Sequence, residues 1–321
     1  MKARYIRLLV FILVVFTLNV TAAFALEDQK AALVNMKTIP MGEVETLVIN
    51  SSAELLVLLE SKNSSVVIKE YQDESRKRDN NQNGGNRSFT SIIQSDSDDE
   101  FEYIIESITR TPSSPTDGYI EVYIPSAFRG AFAITAAGGI IRSEVDLNSA
   151  RSVDITITNG DLELKQVSAG EINIAVSSGS FQAEKLIGTE INLRHTSGSI
   201  EIGKAQGVLS IEAVSGPITV RELIGGGNIV TQAGTIDVGL RNAMNDFSCA
   251  LSTGTITITT PVDLFFNLDV EAGSGSITVT PPRGTPITTQ GAAQWNLGAE
   301  ADITISARIS TGSVTIGPGN R

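Results

Sequence analysis

The sequence predicts an all-β chain built as a single-stranded β-solenoid. Its coils run about 19 residues, each with a glycine corner, and an N-terminal β segment acts as cap. Three observations lead there. The first is a recurring glycine: Gly139, Gly160, Gly179, Gly198, Gly216, Gly234, Gly254 and Gly275 follow one another at 18 to 21 residues. Gly312 comes after a gap of 37, which fits two repeats with a degenerate middle one. The second is alternation. The positions seven, five and three before each of the nine anchors, and two and four after it, are apolar in 41 of 45 cases. The exceptions are Ser143, His195, Gly227 and Thr231, while the interleaved positions are apolar in 7 of 45. Strands with one buried and one wet face read this way. The third is a slip: the inward position three before the anchor is followed by one two after it, an odd step of five. A glycine able to take positive φ absorbs the extra residue and bends the chain.

Each coil therefore joins two strands at a glycine corner. A looser return segment closes it, often with one more apolar residue such as Val167, Leu186 or Leu223. Ten coils stacked at the inter-strand spacing make a rod of roughly 48 Å. A β-sandwich also uses short alternating strands, but it does not call for the same corner at a near-constant period.

Along the chain, residues 1–25 form a targeting segment. Lys2, Arg4 and Arg7 precede an apolar run from Leu8 to Val20, and Ala23-Phe24-Ala25 supplies a signal-peptidase pattern. Left uncleaved, the same stretch is a membrane anchor, and it is the chain's one expected route to a membrane. Residues 26–130 form an N-terminal β segment. Strands are expected at Val44–Asn50, Ala53–Leu59 and Ser65–Tyr71, as one or two opening coils without the glycine signature. Residues 72–88 carry no apolar side chain and read as a flexible loop. Strands resume at Phe89–Gln94, Phe101–Thr109 and Tyr119–Pro125, and the repeat region occupies 131–321. The pattern leaves the register of 281–304 open. Val314 and Ile316 are expected in an exposed terminal coil, with the GPGNR tail frayed.

Removing residues 1–25 takes the basic count from 24 to 21 against 36 acidic residues, so the net charge moves from −12 to −15. Phosphate backbones repel such a chain, which argues against nucleic acid as partner. A single cysteine allows no internal disulfide.

Reactive candidates are few. His195 is the one histidine and takes an inward slot shared with Ile157, Val176 and Ala213, the place of a buried imidazole satisfied by a carbonyl. Cys249 occupies an inward column and reads as a small hydrophobe. Three residues after the anchors, Glu163, Glu201 and Asp237 stand two coils apart, near the outer limit for an inverting glycosidase pair. Arg194 beside Glu212 reads as a surface ion pair. Asp96, Asp98, Asp99 and Glu100 form the densest acidic run but lack the glycine and closing glutamate of a calcium loop. Thr255, Thr257, Thr259, Ser276, Thr278, Thr280, Ser313 and Thr315 crowd one outward face, as in ice-binding solenoids and in ordinary wet strands alike. No catalytic, cofactor-binding or metal-ligating set is expected.

The units HTSGSIEI, STGTITIT and GSGSITVT, with GYIEVYIPSAFRGAFAITAAGG leading into the array, resemble the bacterial putative-adhesin family of β-strand repeats. That family is a domain of unknown function, and the likeness covers roughly residues 36–321. The phrase "strand, Pro, short link, strand, small-Gly" over Ile120–Gly139 carries it most closely. The resemblance implies no catalytic residues. It implies an exported, non-catalytic cell-surface or envelope interaction module that meets a protein or glycan. Because some relatives sit beside envelope-stress signalling systems, it also implies an alternative role with a sensor-kinase partner.

Overall fold

The computed structural model describes residues 31–40, 44–73, 90–97, 100–107, 116–281, 284–297 and 302–319; for 72–73, 90–97, 100–107 and 116–117 it describes the backbone alone. The targeting segment at 1–25, residues 74–88 of the expected loop, and Asp98 and Asp99 lie outside them. Every described element is β. The strands are β1 (Ala31–Pro40), β2 (Thr46–Ser51), β3 (Ala53–Ser61), β4 (Ser65–Asp73), β5 (Thr90–Ser97), β6 (Glu100–Ser107), β7 (Thr116–Pro125) and β8 (Ala131–Ala136). They continue with β9 (Gly139–Asn148), β10 (Ser152–Ser168), β11 (Glu171–Ser178), β12 (Phe181–Ser197), β13 (Ile200–Thr260), β14 (Asn267–Val279), β15 (Ile287–Asn296) and β16 (Thr304–Pro318). Gln72 and Asp73, expected in the loop, instead finish β4 by pairing with Ala32 and Ala31.

The predicted columns exist. Of the 45 inward slots, all but Ala213 and Gly227 are buried, and of the 45 interleaved positions none is. The stacking is parallel and in register: Ile155 lies beside Ile134 and Ile174, and Ile174 beside Leu193. Phe132, Phe181, Phe247 and Phe266 are the largest of the fully buried side chains among the described residues. Each fully buried aliphatic or aromatic side chain contributes about 1.5–3 kcal/mol of apolar transfer. The β-solenoid reading of the sequence is therefore correct.

The corner has a physical cause beyond the bend. All nine anchors have positive φ. At Gly216 (φ +123°) an added Cβ would stand closer than 3.0 Å to the carbonyl oxygen of Gly198 in the rung beneath. The glycines form a column because each rung's backbone fills the space the next rung's Cβ would need. A second, shorter column at the return corner stacks Gly225 on Gly207 and Gly207 on Gly188. The sequence reading passed over it.

The order of rungs differs from the order of the chain at both ends. At the N-terminal end β2 lies between β6 and β8, and β3 between β7 and β9, all parallel. The rung β2–β3 thus sits inside the stack, beneath the later rung β6–β7. Its corner has no glycine; Ser51 Oγ accepts the Ala53 N–H at 3.2 Å and holds the turn. Strands β4 and β5 pair antiparallel with β7 and β6, and β1 pairs antiparallel with β4.

The C-terminal end mirrors this. β16 is parallel to β13 on one side and to β14 on the other, with Gly312 between Gly254 and Gly275. Val314 and Ile316 are completely buried. The expected exposed terminal coil and the expected degenerate repeat in the 37-residue gap are both incorrect. The gap instead holds β15, which runs antiparallel along β14 and lies beyond the last rung. A parallel rung at 287–296 would need inward apolar residues at the coil spacing, and Thr289 and Gly291 do not supply them. Two N-terminal rungs and nine glycine-anchored ones give a rod of roughly 50 Å.

Candidate functional site

The predicted reactive residues are placed as structural parts. His195 is buried; its Nε2 lies 3.0 Å from the Gly179 carbonyl, and its Nδ1 has no hydrogen-bond partner. Burial lowers the imidazole pKa from its usual value, against an opposing contribution from the Gly179 carbonyl. Cys249 is buried, and burial pushes its thiol far up. Neither side chain reaches solvent or a nucleophile–base partner.

The outward acids are drawn into pairs across rungs. Glu163 Oε2 accepts from Arg142 Nε at 2.6 Å, Glu201 is bridged by Arg221, and Glu222 by Arg241 at 3.0 Å. Arg194 meets Glu212 at 3.3 Å, both side chains well exposed, an interaction worth at most about 1 kcal/mol. An amide ladder runs beside them: Asn173 Nδ2 donates to Asp154 Oδ1 at 2.8 Å, and Asn192 Nδ2 to Asn173 Oδ1 at 3.1 Å. These contacts tie rungs together and occupy the Glu163 and Glu201 carboxylates with arginine. Among the described residues no three His, Cys, Asp or Glu converge on a metal-sized site. The side chains of Asp96 and Glu100 lie outside the described set. Threading of β16 makes the threonine face contiguous: Thr257, Thr315, Thr278 and Thr288 follow one another on four adjacent strands.

The structure does assemble one unusual surface that sequence reasoning missed. Antiparallel β4 brings Tyr71 opposite Tyr119 on β7, and their rings stack at 4.5 Å with 5° between planes. Tyr123 stands four residues further along the same face. Glu121 between them accepts from Tyr71 OH at 3.0 Å and from Tyr123 OH at 2.8 Å. Lys69 Nζ donates to Tyr123 OH at 2.9 Å and lies 4.3 Å from its ring centre. Burial, then the neighbouring Glu121 carboxylate, raise the pKa of both Tyr71 and Tyr119, so both phenols stay protonated donors at neutral pH. The strip continues across the sheet. Leu33 on β1 pairs with Tyr71, and Leu55 on β3, itself buried, lies between Tyr119 and Ile140 of β9. Leu33 and Met36 are 50% and 59% exposed. The result is an outward apolar and aromatic face at the N-terminal end of the rod; among the described residues, exposed apolar side chains elsewhere, such as Val214, Val230, Met244 and Phe265, have no aromatic stack beside them.

The model of one family, Toastrack DUF4097, matches residues 44–317, most of the chain. The chain belongs to the Toastrack DUF4097 family. Similar solved structures include a putative adhesin from Parabacteroides distasonis, 13% identical, covering 90% of this chain and 98% of that one at a TM-score of 0.45. Another is a putative adhesin from Bacteroides fragilis, 9% identical, covering 88% and 96% at a TM-score of 0.42. No curated protein matches in sequence. The Toastrack match begins at residue 44, so it takes in β2 through β16 and leaves out β1, which contributes Leu33 and Met36 to the tyrosine face.

A signal for that face was present. Lys69 and Tyr71 share one parity on their strand, as do Tyr119, Glu121 and Tyr123 on theirs. Two strands that each turn tyrosine and charge to the wet side are candidates to lie together. The pairing itself could not be read, because about fifty residues separate them and β4 runs against the direction of the stack.

Proposed function

We propose that this Toastrack chain is an exported, non-catalytic interaction module of the bacterial cell surface or envelope, and that its contact face is the tyrosine strip. The observation that carries the reading is the concentration of Leu33, Met36, Tyr71, Tyr119 and Tyr123 on one outward face. Tyrosines with a polar tip and an apolar body are the residues that anchor protein interfaces. The occupant favoured is a protein rather than a glycan. Tyr71 and Tyr119 cover one another, so one face of each ring is already taken, and a sugar ring would need a free one. A protein partner also accommodates the alternative role, a regulatory envelope protein acting on a sensor kinase.

The test is binding of the labelled chain to native envelope preparations, compared with the double variant Tyr71→Ser/Tyr119→Ser and with Thr257→Ser on the opposite end. The proposal expects the tyrosine variant to lose at least about tenfold in affinity, as hot-spot truncations do, and Thr257→Ser to bind as the parent. Equal binding by all three would refute the face. Turnover of any polysaccharide by the parent, abolished in Glu163→Gln or Glu201→Gln, would refute the non-catalytic role.

A further inference from the structure

We propose that β15 is a self-pairing strand: two copies of this chain join their β15 edges antiparallel, about a twofold axis through Gly291, into one continuous solenoid. On one side β15 pairs with β14; on the other it pairs with no described strand. Exposed edges are normally blunted by charge or proline. The edge strand at the other end of the stack, β1, carries Lys37 and Pro40. β15, sequence ITTQGAAQWN, carries neither, in a chain of net charge −12. An uncharged edge is where so acidic a chain can meet its own copy without repulsion.

The core is also unfinished there. Ile287, Thr289, Gly291, Ala293 and Trp295 lie opposite the inward residues Val279, Ile277, Ala272, Val270 and Leu268. This row caps the columns, yet Ile287 remains 43% exposed and Trp295 only partly buried.

Symmetry decides between a second copy and a foreign strand. β15 follows the whole last rung, bending at Gly291 with φ +79°: residues 287–289 run along one limb of the rung and 292–296 along the other. A straight foreign strand could follow only one limb. A twofold axis on the corner exchanges the limbs, so an identical bent strand follows both. Opposed residues in an antiparallel pair share a face, so the axis must pass through a residue and not between two, and the bend places it on the inward Gly291. Gly291 is the middle one of the five. Ile287 then meets the partner's Trp295, Thr289 meets the partner's Ala293, and on the wet side Gln290 meets the partner's Ala292 and Thr288 the partner's Gln294. Ile287 and Trp295 cover one another inside beside the smaller Thr289 and Ala293, uncharged residues meet outside, and the two cores become one. The joined rod carries a tyrosine strip at each far end, which makes it bivalent.

The test uses the full chain, purified in mild detergent so that its apolar residues 8–20 do not drive association. Sedimentation velocity at micromolar concentration is expected to show a dimer. Gln290→Lys/Ala292→Lys sets like charges opposite one another twice across the axis and is expected to weaken the dimer by about tenfold or more. Both positions are exposed, so the variant's thermal melt should match the parent's. Thr288→Cys/Gln294→Cys is expected to form an intermolecular disulfide under mild oxidation, since opposed strand positions lie within disulfide reach. A monomeric parent overturns the proposal. So does a dimer that survives the lysine pair unchanged, or one in which the introduced thiols do not link between copies.

Discussion

Gly216→Ala tests the glycine column most severely. The added methyl would lie closer than 3.0 Å to the Gly198 carbonyl oxygen, where ordinary contact begins at 3.4 Å. The φ of +123° belongs to a region nearly restricted to glycine, and holding alanine there costs about 1–3 kcal/mol. Relieving the clash means prising two rungs apart at the corner, which strains the ladder bonds on either side, each worth about 1 kcal/mol net. Together these give about 4 kcal/mol, beyond the usual range for a point substitution. In a chain of this size that lowers the thermal midpoint by roughly 6 °C. Because rungs contact only their neighbours, the loss should also open the chain locally. Limited proteolysis is therefore expected to cut near residues 198–234 first. Gly284→Ala, where an added Cβ meets nothing closer than 3.4 Å, is the control and should melt within a degree of the parent. A Gly216→Ala protein that melts with that control would refute the stacked corner.

Further outcomes follow from buried polar groups. Burial lowers the His195 pKa, so the unfolded chain protonates near the ordinary value while the folded one waits until lower pH. Stability from this group is full above about pH 6.5 and is lost as pH falls through the folded pKa. His195→Leu should melt less steeply with falling pH between 7 and 4, and parallel curves for the two proteins would contradict the buried imidazole. Glu70 is completely buried, accepts from Asn35 Nδ2 at 3.1 Å and faces Lys37 Nζ at 3.6 Å. Glu70→Ala should cost about 3 kcal/mol by denaturant titration, and Glu70→Gln clearly less because the amide keeps the Asn35 bond. Cys249 is buried with its thiol pKa raised. A thiol reagent should label it only as fast as the chain unfolds, and prompt labelling of the native protein would show the column to be open.

What the sequence disclosed, it disclosed locally. Alternation around a glycine is a property of eleven or twelve consecutive residues, so the inward columns could be read without any long-range information. His195 and Cys249 were legible for the same reason: each occupies a slot whose neighbours are aliphatic. The order of rungs was not legible, because equivalent rungs are interchangeable in pattern. The Ile256-x-Ile258 rung accepts Val314-x-Ile316 or Ile277-x-Val279 equally well, and nothing near either segment says which comes next. What settles it is the antiparallel return of β15, which occupies the outside of β14 and leaves β16 the inner place. The tyrosine face was hidden by the same kind of threading. Tyr71 and Tyr119 meet only because β4 turns back against β7 at the end of the stack.

The central claim is that rungs stack with β16 threaded between β13 and β14, and introduced cysteine pairs on the outward threonine column test it directly. Thr315 lies beside both Thr257 and Thr278, and Thr257 and Thr278 are two rungs apart, roughly 9.6 Å. Under mild oxidation, Thr257→Cys/Thr315→Cys and Thr278→Cys/Thr315→Cys should each form an intramolecular disulfide, and Thr257→Cys/Thr278→Cys should not. A ready link between positions 257 and 278, with none to 315, would mean that the rungs follow chain order.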